Sequence, residues 1–125
     1  MSAGASLQVA LVGVLAEVGG LTGVYDGPPP RASYPYLVVD AGTELDWGHK
    51  SGAGRDVAVA VTVWDDQPAR LQDIAAEVER AVEDVSVVSG WALASLRFSR
   101  KRVMRDVAGP WAVALDFRAR LLKSA

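Results

Sequence analysis

Apolar residues at Leu7, Ala10, Leu11, Val14, Leu15 and Val18 recur at three- and four-residue spacing, which places them on one face of a helix. Ser6 suits an N-cap and Gly19-Gly20 suit a stop, so the spacing predicts a helix over about residues 6 to 19. Prolines 28 to 30 forbid helix and predict an extended, solvated connector, because each fixes φ and lacks an N–H. The apolar run Tyr36 to Val39 reads as a strand. From Arg55 to Asp65 the period becomes two: Val57, Val59, Val61 and Val63 lie on one side, and Ala58, Ala60, Thr62 and Trp64 on the other. These two strands are expected to pair as a hairpin with residues 46 to 54 at or near its tip. Asp65-Asp66-Gln67-Pro68 ends the second strand and opens a helix, with carboxylates near its N-terminus and a proline in its first turn. Leu71, Ile74, Ala75, Val78, Ala81, Val82 and Val85 mark the buried face of that helix, over about residues 68 to 85.

The remaining chain reads as a second hairpin, residues 92 to 105 with 111 to 121, turned around "DVAGP". In its last strand Trp111, Val113, Leu115 and Phe117 face one way while Asp116, Arg118 and Arg120 face the other, the pattern of a sheet covered on one side. The predicted class is α+β, with element order α-β-β-α-β-β. Two helices on one face of a mainly antiparallel four-stranded sheet would bury both helical stripes at once.

With 125 residues, half of them hydrophobic and 22% charged, the chain has the balance of an ordinary globular protein. One domain spanning residues 1 to 125 is expected, burying roughly two-thirds of its unfolded surface. A net charge of −2 gives no overall pull toward nucleic acid or an anionic membrane. The N-terminal apolar segment lacks a basic leader and contains Gln8 and Glu17, which argues against a signal peptide or membrane span and for a soluble protein made in the cytoplasm. No cysteine and one histidine remove disulfides, thiolate nucleophiles and cysteine zinc sites, so a metal centre would have to be nearly all carboxylate.

The densest concentration of unusual residues is "DWGHKSGAGRDV", residues 46 to 57. Its Gly-x-Gly could suggest a phosphate cradle, but such a cradle needs a helix to start after the glycines and here a strand follows. Gly52 and Gly54 are instead expected to supply positive-φ conformations in a hairpin loop. His49, between Gly48 and Lys50, reads as a surface histidine without a partner to share a metal. Asp65 and Asp66 point to opposite faces if on a strand, and helix capping accounts for both without catalysis. "RFSRKRVMR", residues 97 to 105, holds five basic residues in nine. Strict alternation puts Arg97, Lys101 and Arg105 on one face and Arg100 and Arg102 on the other, which splits any nucleic-acid platform. These residues are read as a solvated or salt-bridged strand, as a charged protein contact, or as a contact with DNA backbone. Of the four tryptophans, Trp64, Trp91 and Trp111 are core candidates, while Trp47 beside the glycine loop suits an interface anchor.

Taken in order, "VYDGPPPRASYPYLVV", "DWGHKSGAGRDVAVAVTVWD", a helix opening near Pro68, and "SLRFSRKRVMRDVAG" before a last alternating strand resemble the short tail-completion proteins of long-tailed phages and of phage-derived gene transfer agents. The most telling pieces are Tyr25-Asp26 with the following prolines, Tyr34-Pro35-Tyr36, Trp47 with Lys50 and the glycines, and Val63-Trp64. The resemblance implies a tail terminator: a six-fold ring on the head-proximal end of the tail tube that stops polymerisation and offers a docking face to the head-completion (stopper) protein. It implies no cofactor, no metal and no catalysis, with DNA only in transient passage, and a place in the neck of a particle assembled in the bacterial cytoplasm. Trp47, His49, Lys50, Arg55, Arg100 and Arg102 are the interface candidates. Rival readings are a head-side stopper or adaptor, or a small enzymatic or ligand-binding α+β domain. The lack of any convergent acid, base and nucleophile weighs against the last.

Overall fold

A computed structural model describes every residue except 106, 108 and 125. Helix α1 runs Ala3–Leu15, because its N-cap is Ser2, whose Oγ accepts from the Ala5 amide at 3.1 Å. Ser6, expected as the cap, lies inside the helix, buried, with its hydroxyl unpartnered. Strands β1 (Gly23–Tyr25), β2 (Tyr36–Asp46) and β3 (Gly54–Asp65) follow, then helix α2 (Pro68–Val82) and strands β4 (Trp91–Arg105) and β5 (Trp111–Lys123).

The sheet therefore has five strands in the order β1-β2-β3-β5-β4, and β1 runs parallel to β2. This overturns the expected four-stranded, mainly antiparallel sheet and the order α-β-β-α-β-β; the class remains α+β. The strand that pattern reading missed is three residues long, too short to show a period of two, and is defined by its partner: Gly23, Val24 and Tyr25 register with Tyr36, Leu37 and Val38. Thr22 fixes its entry, with its amide donating to the Pro35 carbonyl at 2.7 Å and its hydroxyl to the same carbonyl at 2.9 Å. The expected turn over residues 106 to 110 includes 106 and 108, which lie outside the described residues.

β3 and β5 pair without interruption from Gly54↔Leu122 to Asp65↔Trp111 and form the spine of the sheet. Their inward residues, Val57 to Val63 at every second position and Val113, Leu115, Phe117, Ala119 and Leu121, are buried against Leu7, Leu11 and Leu15 of α1 and Leu71, Ile74, Val78 and Val82 of α2. The alternation read in both strands holds. The three core-candidate tryptophans are only half-buried. Trp64 lies on the face opposite the helices, and Trp91 and Trp111 flank the core, because indoles of that size fit the margins of a core built from valine and leucine.

Candidate interface on the open sheet face

Among the described residues no helix lies over the second face of the sheet, and the pairing register assigns its residues row by row. Tyr36, Trp64, Ala112 and Met104 form one row; Val38, Thr62, Ala114 and Arg102 the next; then Asp40, Ala60, Asp116 and Arg100; then Thr43, Ala58, Arg118 and Arg97; then Leu45, Asp56, Arg120 and Ser95. The register shift between Phe98 and Arg100 is a bulge, and it restores the parity that simple alternation denied. Arg97 thus joins Arg100 and Arg102 on the open face, while Phe98, Lys101 and Arg105 turn to the helix side, opposite Phe117, Leu115 and Trp111. The expected split of the basic cluster is corrected accordingly.

Five arginines now share the β4–β5 half of this face. Asp116 accepts from Arg100 Nε at 2.7 Å and lies 3.4 Å from Arg102 Nε. Asp56 takes Arg118 at 2.8 Å and Arg120 at 3.4 Å. Each aspartate thus serves two guanidinium groups, leaving one uncompensated positive charge per group, and Arg97 has no ion pair among the described residues. Two hollows lie between these side chains: about 370 Å³ lined by Asp56, Ser95, Arg97, Arg118 and Arg120, and about 450 Å³ around Asp40, Ser99, Arg100 and Asp116. The centre of the face is low because β3 presents only Ala58 and Ala60 there.

The opposite corner is aromatic. Tyr36 stacks on Tyr34 at 5.9 Å and on Trp64 at 6.5 Å, and meets Tyr25 edge-on at 6.0 Å. Burial raises the Tyr36 phenol above its ordinary pKa, with Tyr34 and Tyr25 adding to the rise. A hollow of about 440 Å³ lies beside it, lined in part by Pro28, Pro29, Val38 and Thr62.

The candidate residues divide between places. His49 and Lys50 are exposed at the β2–β3 tip, where the His49 amide donates to the Gly52 carbonyl at 2.8 Å and Lys50-Ser51 make the turn. No positive φ occurs at Gly52 or Gly54; among the described residues it occurs at Gly20 and Gly90. The expected reason for those loop glycines is therefore corrected: Gly54 is needed because a Cβ would strike the Trp47 carbonyl and come within 3.1 Å of the Leu121 carbonyl. Trp47 is half-buried, its ring 5.3 Å from the Arg120 guanidinium and 4.8 Å from His49. It thus abuts the arginine-bearing end of the open face. Arg55 points to the helix side, 3.8 Å from Glu44 and 3.4 Å from Asp46. Arg97, Arg118 and Arg120 belong with Arg100 and Arg102, although none of the three is among the interface candidates that the sequence marks. The alternation of Arg118 and Arg120 was visible in sequence, whereas the bulge was not.

Asp65 is fully buried and holds the start of α2. It accepts from Arg70 Nε at 2.7 Å and Nη2 at 2.6 Å and from the Gln67 amide at 3.2 Å. Hydrogen bonding from Arg70, set against desolvation, keeps its carboxyl below the usual range. The role is structural, but the expected capping by Asp65 and Asp66 is corrected: the N-cap of α2 is Gln67, without a side-chain cap hydrogen bond, and Asp65 acts through Arg70 and the Gln67 amide instead. Among the described residues no group of three or more His, Cys, Asp or Glu is placed to hold a metal ion, and no helix is long and apolar enough to cross a membrane.

Residues 7 to 122 match the family model described as Tail completion protein gp17. The chain belongs to that family. A tail completion protein is a structural component of a phage-type tail, and the solved structures fit this. One chain of a structure titled "Virion of native gene transfer agent (GTA) particle" is 26% identical, with a TM-score of 0.76, 97% of this chain and 98% of that chain being covered. The structure of the bacteriophage SPP1 gp17 protein, 21% identical, shares the fold with a TM-score of 0.57, over 98% of this chain and 91% of that one. No curated protein matches this tail completion protein.

Proposed function

We propose that this chain is a tail terminator. Six copies close into a ring on the head-proximal end of the tail tube, stop its polymerisation and present a docking face to the head-completion protein, while DNA passes through without being held. The observation that carries the reading is the end-to-end match to a chain of the gene transfer agent virion, over 97% of this protein, joined to family membership over residues 7 to 122. A head-to-tail contact repeated around an axis closes into a ring, and a subunit with one open, charged sheet face has a surface free for such a contact. The terminator unit spans residues 1 to 125, works in the neck of the particle after assembly in the bacterial cytoplasm, and carries no catalytic, cofactor or metal site. Trp47, His49 and Lys50 dock on the tube or the next ring, with Arg55 at the margin of that contact.

A reconstruction of the neck from particles carrying this chain tests the reading. A six-fold ring of the chain directly on the tube is expected, with deletion giving unjoined tails or tails of abnormal length. A ring separated from the tube by another protein would make the chain a stopper and overturn the assignment. Replacing residues 48 to 54 by an Asn-Gly turn, which suits a tight hairpin, tests the docking tip. The fold is expected to survive and complementation of the deletion to fail; normal particle yield would remove the tip from the interface.

A further inference from the structure

We infer that the ring contact seats the arginine face of one subunit on helix α2 of the next copy, an inference that rests on the ring proposed above. The two surfaces lie on opposite sides of the molecule and carry opposite charge. On the open sheet face Arg97, Arg100 and Arg102 follow one another along β4, all exposed. On the outer side of α2 Asp73 and Glu77 are exposed, and Asp84 follows just past the helix end. The exposed cation of that helix stripe, Arg80, pairs with Glu77, and Lys101 reaches only the flank of the helix, donating to Gln72 at 2.6 Å.

The dimensions are comparable. Arg97 to Arg102 lie opposite Arg118 to Ala114, four strand steps because of the bulge, and span about 13 Å at about 3.3 Å per residue. The eleven steps of near-helical chain from Asp73 to Asp84 span about 16 Å at about 1.5 Å per residue. The internal aspartates cannot satisfy the arginines, since Asp116 and Asp56 are each shared between two of them. A symmetric face-to-face pairing would set arginine on arginine, and like charges in register oppose it. Because the complementary surfaces are two different patches of the subunit, the contact is heterologous and head-to-tail.

Charge exchange tests this. One chain carries Arg97→Glu, Arg100→Glu and Arg102→Glu; a second carries Asp73→Lys, Glu77→Lys and Asp84→Lys; a third carries all six. Each is expressed in a strain lacking the native chain, and ring occupancy on purified tails is read by electron microscopy, with circular dichroism confirming the fold. Each single-surface exchange is expected to lower ring occupancy by about tenfold or more. Co-expression of the two, or the sixfold exchange in one chain, is expected to restore it. Loss without restoration overturns the proposal, as does full occupancy of either single-surface variant. A wild-type neck without a ring would instead overturn the ring itself, so the two failures are distinct. Duplex DNA bound by the wild type at 50 mM salt and not by the arginine variant, with the ring intact, would assign the face to nucleic acid and also overturn the proposal.

Discussion

Asp65 shows how much one residue can carry away from any interface. Its carboxylate is buried, takes two bonds from Arg70 and one from the Gln67 amide, and so ties the end of β3 to the first turn of α2. Its folded pKa is lowered, so its contribution is fully present above the unfolded value of about 3.9 and is lost as pH falls through the folded value. Wild-type melting temperature should therefore drop with acidification below about pH 4. Asp65→Asn should melt lower at neutral pH and lose less between pH 5 and 3, as calorimetry across that range would show. An equally steep acid limb in the variant would place the dependence elsewhere. Ser6 is the converse case. Its hydroxyl is buried without a partner in the interior of α1, so Ser6→Ala should raise stability by about 1 kcal/mol, both by removing an unsatisfied group and by improving helix propensity. Denaturant titration reads this directly. The sequence offered Ser6 as a cap because a serine before an apolar stripe is a good start signal; the structure starts the helix one turn earlier, with Ser2 as its cap.

At the scale of elements, the short β1 has a consequence for its neighbour. β1 pairs only with Tyr36 to Val38, so the next backbone groups of β2 would lack partners on that side. Gln8 of α1 takes them: its Nε2 donates to the Val39 carbonyl at 2.6 Å and its Oε1 accepts from the Ala41 amide at 2.8 Å. The side-chain amide thus continues the ladder in place of a peptide and fixes α1 across the sheet. Gln8→Leu should cost about 2 kcal/mol, because both backbone groups are left partly buried and unpaired, whereas Gln8→Glu should retain the acceptor alone and fall between. Equal stability of Gln8→Leu and wild type in urea would contradict this. Gly54 makes a steric prediction at the other end of the same hairpin. With the Trp47 and Leu121 carbonyls in the space a Cβ would take, Gly54→Ala should destabilise by about 1–3 kcal/mol through displaced backbone. Gly52→Ala, with open space around it, should change little. Sequence marked both glycines alike, since a Gly-x-Gly says nothing about which position faces another strand.

For the whole molecule, both helices and the inward residues of the sheet contribute to one cluster of buried side chains. A single cooperative melting transition is expected, with coincident fluorescence and circular dichroism curves; two separated transitions would argue against one folding unit. What the sequence by itself determined is what repeats along it. The 3.6-residue stripes of α1 and α2, the alternation of β3 and β5 and the identity of the covered face were legible because each is a local period imposed by burial on one side. The family likeness was legible for a related reason, as its motifs are short runs in fixed order. The tertiary structure alone decided β1, which exists only through its pairing with β2. It also decided the role of Gln8, which completes a ladder 31 residues away, and the gathering of Arg97 with Arg100, Arg102, Arg118 and Arg120. That last feature depends on one bulge between Phe98 and Arg100: inserting an extra residue into a strand reverses the facing of everything on one side of it. No periodicity announces such an insertion, because its position is set by how the partner strand registers, and registry is a property of two segments rather than one.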